Sequence, residues 1–176
     1  VVGGGENNDA VGDHSVVVGG WNNNADESLN FIGGGDGNCI EAGARSTIVG
    51  GIANCVNGAD TFLGGGCGNK AVGTFIFVGG GQSNCSNSGM SVVVGGCQNI
   101  ECGTCLNTVL GGESNCLWSD SSNSNIIGGK TNCLYCANFS TIAGGCSNVL
   151  SASNGFIGGG VDNHLKHANS AIVTSG

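Results

Sequence analysis

The chain has 176 residues, among them 37 glycines and no proline, with a formal net charge of −8 and only 9% charged residues. A disordered chain normally carries more charge, and collagen needs proline and a glycine at every third position, so the composition excludes both classes. Four basic residues in an acidic chain argue against a nucleic-acid partner. No apolar run approaches the roughly 20 residues that cross a bilayer, so we expect no membrane insertion by this segment.

A short pattern of two glycines, two variable residues and an asparagine recurs along the whole chain. Successive asparagines lie 15 to 17 residues apart, which is the signature of a repeat protein. We predict a single repeat domain over 1–176 that belongs to a longer chain. Its eleven coils are anchored at Asn8, Asn23, Asn38, Asn54, Asn69, Asn84, Asn99, Asn115, Asn132, Asn148 and Asn163.

Each coil has two apolar positions in constant register with its asparagine. The position six residues before the asparagine is aliphatic in all eleven coils, and the position two residues after it is usually apolar. Two short strands joined by glycine corners fit this spacing, whereas the glycine density and the missing 3.6-residue period exclude helix. The predicted fold is all-β, a parallel β-solenoid of about eleven 15–17-residue coils. At about 4.8 Å per coil it would be roughly 50 Å long.

The positions seven and five residues before each asparagine lie on the outward side of the first strand, and their volumes compensate. Phenylalanine at the first position is followed by glycine at the second, whereas a smaller first residue is usually followed by valine, leucine or isoleucine. Such a balance is typical of close packing, and an apolar stripe along a rod is too large for a soluble monomer. We therefore predict an inter-chain face in a cyclic homo-oligomer, formed by Val16, Phe31, Phe62, Phe77, Val92, Leu110, Ile127 and Phe156.

The first strand also carries a recurring Ser–x–aliphatic–Val–Gly motif, at Ser15–Gly19, Ser46–Gly50 and Ser91–Gly95. Together with the asparagine-rich return, this motif resembles the head repeats of YadA-like trimeric autotransporter adhesins over essentially the whole chain. The resemblance implies a left-handed β-roll, a side-by-side homotrimer, and attachment to a host-surface receptor or glycan. It also implies an extracellular location, on a cell or a virion surface. Similar repeats occur in viral and phage fibres, so a virion fibre or tail-spike shaft is an equal alternative to a bacterial adhesin.

Eleven cysteines allow three interpretations. Zinc binding by the two CxxC pairs, Cys102 with Cys105 and Cys133 with Cys136, is disfavoured because the pairs lie two coils, or about 10 Å, apart. Disulfides are feasible for Cys39 with Cys55 and for Cys116 with Cys133, which occupy equivalent positions about 4.8 Å apart on neighbouring coils. The favoured interpretation is that cysteine fills a small apolar slot. No metal and no cofactor are predicted.

No recurring set of residues indicates catalysis. His14, His164 and His167 do not combine with a serine and an acid, although His164 and His167 lie near Asp162 in the sequence. The asparagine column is best explained as structural, because stacked amides can hydrogen-bond from coil to coil. We therefore expect a structural fibre segment and no enzyme. The alternatives are a monomeric solenoid that binds ice or a polysaccharide, and, less favoured, a solenoid polysaccharide lyase.

Overall fold

The computed structural model describes residues 1–118, 120–166 and 170–174. Within them the chain alternates between two parallel eleven-stranded sheets. The odd-numbered sheet contains β1 Asp9–Ala10, β3 Asn24–Ala25, β5 Cys39–Ala42, β7 Cys55–Asn57, β9 Lys70–Val72, β11 Cys85–Ser86, β13 Ile100–Glu101, β15 Cys116–Leu117, β17 Cys133–Leu134, β19 Val149–Ser151 and β21 His164–Lys166.

The even-numbered sheet contains β2 Val16–Val17, β4 Phe31–Ile32, β6 Thr47–Ile48, β8 Phe62–Leu63, β10 Phe77–Val78, β12 Val92–Val93, β14 Thr108–Val109, β16 Asn125–Ile126, β18 Thr141–Ile142, β20 Phe156–Ile157 and β22 Ile172–Val173. Each strand pairs in parallel with the equivalent strand of the next coil, so that Ile32 lies between Val17 and Ile48. The predicted all-β solenoid of about eleven coils is therefore confirmed.

The core consists of two stacked columns of apolar side chains, one from each sheet, that pack against each other between the sheets. Both positions predicted to point inward are fully buried in the interior coils, for example Ile48 from β6 and Leu134 from β17. The side chains stack on their equivalents above and below, so each coil completes its core only against its neighbours. Among the described residues no helix is long and apolar enough to span a membrane.

Two corners of each coil require a left-handed backbone. One is the residue immediately before the repeat asparagine, as at Asn22 with φ 54°, and the other lies nine residues before it, as at Leu29 with φ 61°. The glycine three residues before the asparagine is needed for a further reason. A Cβ on Gly66, whose φ is 88°, would lie 2.1 Å from the Gly81 carbonyl oxygen of the next coil. Close backbone stacking at this corner thus explains the invariant glycine.

Candidate functional site

The repeat asparagines form a continuous ladder along the inside of the solenoid. In each of the ten steps the side-chain oxygen of one asparagine accepts a hydrogen bond from the backbone N–H of the next, at 2.9 to 3.1 Å. The Asn69 Nδ2 group also donates to Gly65 O in its own coil and to Gly81 O in the next, both at 2.9 Å. The ladder therefore satisfies Gly65 O and the Asn84 N–H, and it adds a second donor to Gly81 O, which also accepts from the Cys67 N–H.

A second polar ladder, which the sequence analysis did not identify, lies eight residues before the asparagines. The backbone N–H of Ser46 donates to Asn30 Oδ1 at 2.9 Å, and that of Thr61 donates to Ser46 Oγ at 3.2 Å. Farther along, Ser140 N–H donates to Ser124 Oγ. Most coils therefore contain two related units, each made of a left-handed residue, a buried polar residue, an outward residue and an inward apolar residue. Ile76 and Gly155 take the polar position in two of the coils. The recurring serine at the start of the Ser–x–aliphatic motif was the signal for this ladder.

Among the buried residues that the structure describes, Glu101 is the one with an ionisable side chain, and its exposure is 0%. It stands in the inward position of β13, where most coils have an aliphatic residue. Its carboxyl oxygens accept hydrogen bonds from Ser86 Oγ at 3.1 Å, Ser88 Oγ at 2.6 Å, Gly103 N–H at 3.0 Å and Asn107 Nδ2 at 3.2 Å. The surrounding coils supply these donors, so the polar cluster replaces the apolar core locally.

Replacing Glu101 tests how much this buried cluster contributes to stability. We expect Glu101→Ala to lower the free energy of unfolding by about 2–4 kcal/mol, because it leaves a cavity and removes the acceptor for several buried donors. Glu101→Gln keeps the volume and one acceptor oxygen, so it should cost clearly less, about 1 kcal/mol. Urea unfolding of the two variants measures the difference. Equal stability of the alanine and glutamine variants would show that the hydrogen bonds contribute little.

We call the outward side of the even-numbered sheet the aromatic face; it consists of the positions seven and five residues before each asparagine. Phe31, Phe62, Phe77 and Phe156 are each 38–40% exposed there in the single chain. The Phe62 and Phe77 rings stack with centroids 5.4 Å apart. Of the other residues predicted to lie on an inter-chain face, Val16 and Val92 are half-buried and Leu110 and Ile127 are exposed.

The volume balance on the aromatic face has a cause within one chain. A Cβ on Gly79 would lie 2.2 Å from Val94 O of the next coil, and a Cβ on Gly33 would lie 2.2 Å from Val49 O. The ring two residues earlier, Phe77 or Phe31, would be in ordinary contact with that Cβ at 3.4 Å. The backbone of the next coil therefore excludes a larger side chain at these glycines, and the phenylalanine ring lies beside them. The exposed apolar surface that remains is the observation that bears on a partner.

The aromatic face is bordered near its middle by an ion pair. Arg45 Nε lies 2.6 Å from Asp60 Oδ1, and Arg45 Nη2 donates to Asp60 Oδ2 at 2.8 Å. Both residues occupy left-handed corners on neighbouring coils, and with Phe62, Phe75 and Phe77 they line a shallow depression. The Arg45 guanidinium holds the pKa of the Asp60 carboxyl below its ordinary value. At this exposed position the pair contributes little to stability.

We call the outward position directly after each asparagine, on the odd-numbered sheet, the cysteine face. It places Cys39 opposite Cys55 and Cys116 opposite Cys133 on paired strands, and both pairs are free thiols in the structure. The five half-buried cysteines of this face are Cys39, Cys55, Cys85, Cys116 and Cys133.

The two CxxC pairs have a different arrangement. Cys105 lies on a parallel bridge between Gly89 and Ser122, whereas Cys136 occupies an exposed left-handed corner. Within the described residues, the group whose ligand atoms all lie within 4.8 Å of one another consists of Cys39, Glu41 and Cys55. The repeat spacing predicted that Cys39 and Cys55 face each other, but it did not place Glu41 beside them, because the register shift between Ile40 and Ala42 is visible only in the backbone.

Burial on the cysteine face changes the acidity of the thiols. Desolvation raises the pKa of Cys85 and Cys133 on this face, and also that of Cys102, which lies three residues after Asn99 and outside the face. It raises the pKa of Cys116 to about 12, with an additional contribution from Cys133. At the other pair, hydrogen bonding between the thiols raises the pKa of Cys39 and lowers that of Cys55. The two cysteine pairs are therefore chemically different.

The raised pKa of Cys116 predicts slow alkylation in the folded protein. At pH 8 iodoacetamide should modify Cys116 at least about tenfold more slowly than the exposed Cys67, because the thiolate is the nucleophile. The Cys116 rate should keep rising as the pH approaches 12. Peptide mass spectrometry after timed labelling gives both rates, and labelling in denaturant is the control in which they should converge. Equal rates in the folded protein would contradict this assignment.

The histidines do not form a cluster among the described residues. His14 occupies an exposed left-handed corner, far along the chain from His164. His164 Nε2 lies 3.2 Å from Asp162 Oδ1, and both side chains are exposed. His167 lies outside the described residues. This arrangement is an ordinary surface pair near the last coil.

Compared with models of protein families and with curated protein sequences, the chain has no match in either set.

Proposed function

We propose that this chain is a structural, non-catalytic segment of a trimeric surface fibre, in which three solenoids pack side by side through their aromatic faces. One observation carries the proposal. The aromatic face exposes at least one large apolar side chain in ten of the eleven coils, represented by Val1, Val18, Phe31, Val49, Phe62, Phe77, Val94, Leu110, Ile127 and Phe156. The coil with Thr141 and Ala143 interrupts the stripe, and an exposed apolar surface of this length is typical of one that a partner covers.

Three copies, rather than two, are favoured by the resemblance of the Ser–x–aliphatic–Val–Gly strands to adhesin head repeats. A second copy of the same chain matches the stripe in length and in coil spacing, because both have the same repeat. Identical rods that associate side by side can also form a closed assembly with cyclic symmetry, so the number of chains is fixed. The resulting fibre would lie outside the cell or on a virion, where it would act as a rigid spacer. Its three copies would each display attachment sites for a surface receptor or glycan, and binding through several copies at once would increase the avidity.

The glycan-binding alternative rests on a specific feature of the single rod. Stacked Phe62 and Phe77 beside the Arg45–Asp60 pair offer an aromatic platform with polar groups at its edge. A lone solenoid with this platform free would suit a sugar ring. If sister chains cover the aromatic face, the platform is buried and this function is excluded.

Light scattering on the native protein separates the two candidates. The fibre proposal requires a mass close to three times the 17.2 kDa of one chain, independent of concentration over the micromolar range. A mass near 17.2 kDa, together with binding to a polysaccharide, would replace the fibre proposal by the glycan-binding one. A mass near one chain without binding would leave neither candidate standing.

A further inference from the structure

The cysteine face contains a side-chain cluster that the proposed fibre function does not use. Cys39 Sγ, a Glu41 carboxylate oxygen and Cys55 Sγ all lie within 4.8 Å of one another. The two cysteines are directly opposite on β5 and β7, and Cys39 Sγ lies 3.8 Å from Glu41 Oε1. The carboxylate therefore lies beside the thiol pair.

A β-bulge explains why Glu41 reaches this place. The pairing of β5 with β7 shifts register between Ile40 and Ala42, so Glu41 has no partner residue on β7. This bulge belongs to a coil of 16 residues, one more than the coils on either side. A bulge changes the direction of a side chain locally. This bulge brings a carboxylate beside the two sulfur atoms of Cys39 and Cys55, which the parallel pairing of β5 with β7 has already aligned.

We propose that Cys39, Glu41 and Cys55 form a binding site for a thiophilic divalent cation, with Zn²⁺ or Cd²⁺ as the natural occupants. Two thiolates and one carboxylate are ordinary zinc ligands, and an exposed site leaves a fourth tetrahedral position for a further oxygen. Sulfur atoms about 2.3 Å from a tetrahedral ion lie about 3.8 Å apart, so only a small approach of the side chains is needed.

Two neighbouring residues complement such an ion. Asn24 lies opposite Cys39 on the preceding coil, and its buried Oδ1 accepts no hydrogen bond. Lys70 lies opposite Cys55 on the following coil. A divalent ion with two thiolates and a carboxylate carries a net charge of −1, which the Lys70 ammonium offsets.

The second thiol pair shows that paired cysteines alone do not make this cluster. Cys116 and Cys133 are aligned on β15 and β17 just as Cys39 and Cys55 are on β5 and β7. Where the first pair has Glu41, two residues after its cysteine, the second has Trp118 and Tyr135. Cys116 and Cys133 therefore provide two sulfurs without a carboxylate, which makes them a matched control.

The test uses the whole chain, reduced and kept free of oxygen. Cd²⁺ is titrated while the ultraviolet thiolate-to-cadmium charge-transfer absorbance is recorded, and Zn²⁺ affinity is measured by competition with a chromogenic chelator. We expect one tight equivalent per chain. Cys39→Ser and Cys55→Ser should each weaken it about a hundredfold, and Glu41→Gln about tenfold, whereas the double variant Cys116→Ser/Cys133→Ser should bind as the unchanged chain does.

Circular dichroism and thermal unfolding check that every variant is folded, which is expected because the substituted side chains point outward. The proposal is overturned if Cys39→Ser and Glu41→Gln retain the tight equivalent, or if the Cys116→Ser/Cys133→Ser variant loses it. It is also overturned if the reduced chain has no equivalent tighter than the general affinity of its exposed thiols. None of these outcomes depends on the number of chains in the fibre.

Discussion

Asn69→Ala should destabilise the solenoid, with the largest effect in the coils next to residue 69. The substitution removes the acceptor for the buried Asn84 N–H and the donor for Gly65 O and Gly81 O. Gly81 O keeps the Cys67 N–H as a donor, but the Asn84 N–H and Gly65 O are left without a partner. Each such group costs about 1–3 kcal/mol, so we expect the free energy of unfolding to fall by about 3 kcal/mol. Asn69→Asp is nearly isosteric and should be at least as damaging, because its second oxygen would face the two glycine carbonyl oxygens that the amide group now satisfies.

Amide hydrogen exchange is the measurement that localises this loss. The Asn84 N–H should exchange at least about a hundredfold faster in Asn69→Ala, with smaller effects in coils farther along the rod. Asn57→Ala is the matched control, since Asn57 is exposed and its side chain makes only a 3.5 Å contact with Glu41. We expect that control to change stability by less than about 0.5 kcal/mol. Similar losses in both variants would show that the asparagine ladder is not a special source of stability.

Charges on the aromatic face should dissociate the proposed fibre. The double variant Phe62→Lys/Phe77→Lys would bury two ammonium groups against sister chains, where the neighbouring carboxylate, Asp60, is already paired with Arg45, and this costs several kcal/mol. The expected result is a native mass of one chain at micromolar concentration, measured by light scattering. The strand fold should survive, because both side chains point away from the core and only their neighbours on the aromatic face are disturbed.

Trp118→Lys is the control for that experiment. Trp118 is 45% exposed, similar to Phe62 at 39%, but it lies on the outward side of the odd-numbered sheet. The proposal expects this variant to keep the mass of the unchanged chain. If Trp118→Lys alone dissociates the assembly, the contact between chains lies on the odd-numbered sheet. If neither variant changes the native mass, the aromatic face is not part of the contact between chains.

The regular part of the fold could be predicted from the sequence because one register governs every coil. The aliphatic position of Ile48 and the apolar position of Leu134 recur at fixed distances from an asparagine, and both are fully buried. The second polar ladder was harder to recognise because Ser46, Asn30 and Thr61 differ in type while sharing one hydrogen-bonding role.

The irregular features could not be predicted for a physical reason. An interval of 16 residues shows that a coil holds an extra residue, but only the backbone shows that the bulge falls at Glu41. Glu101 likewise looks surface-exposed by type, and its burial follows from donors on three other segments that happen to converge on it. Such features depend on contacts between coils, which the spacing of a repeat does not encode.

Hydroxyl-radical footprinting of the phenylalanines in the native assembly measures whether sister chains cover the aromatic face. Phe139 is 64% exposed at a left-handed corner and serves as the internal reference, while Phe31, Phe62, Phe77 and Phe156 are 38–40% exposed in one chain. If neighbouring chains exclude solvent from these four, we expect their modification at no more than about a tenth of the Phe139 rate. Modification of the four at roughly half the Phe139 rate or more, as their exposure in a lone rod implies, would contradict it.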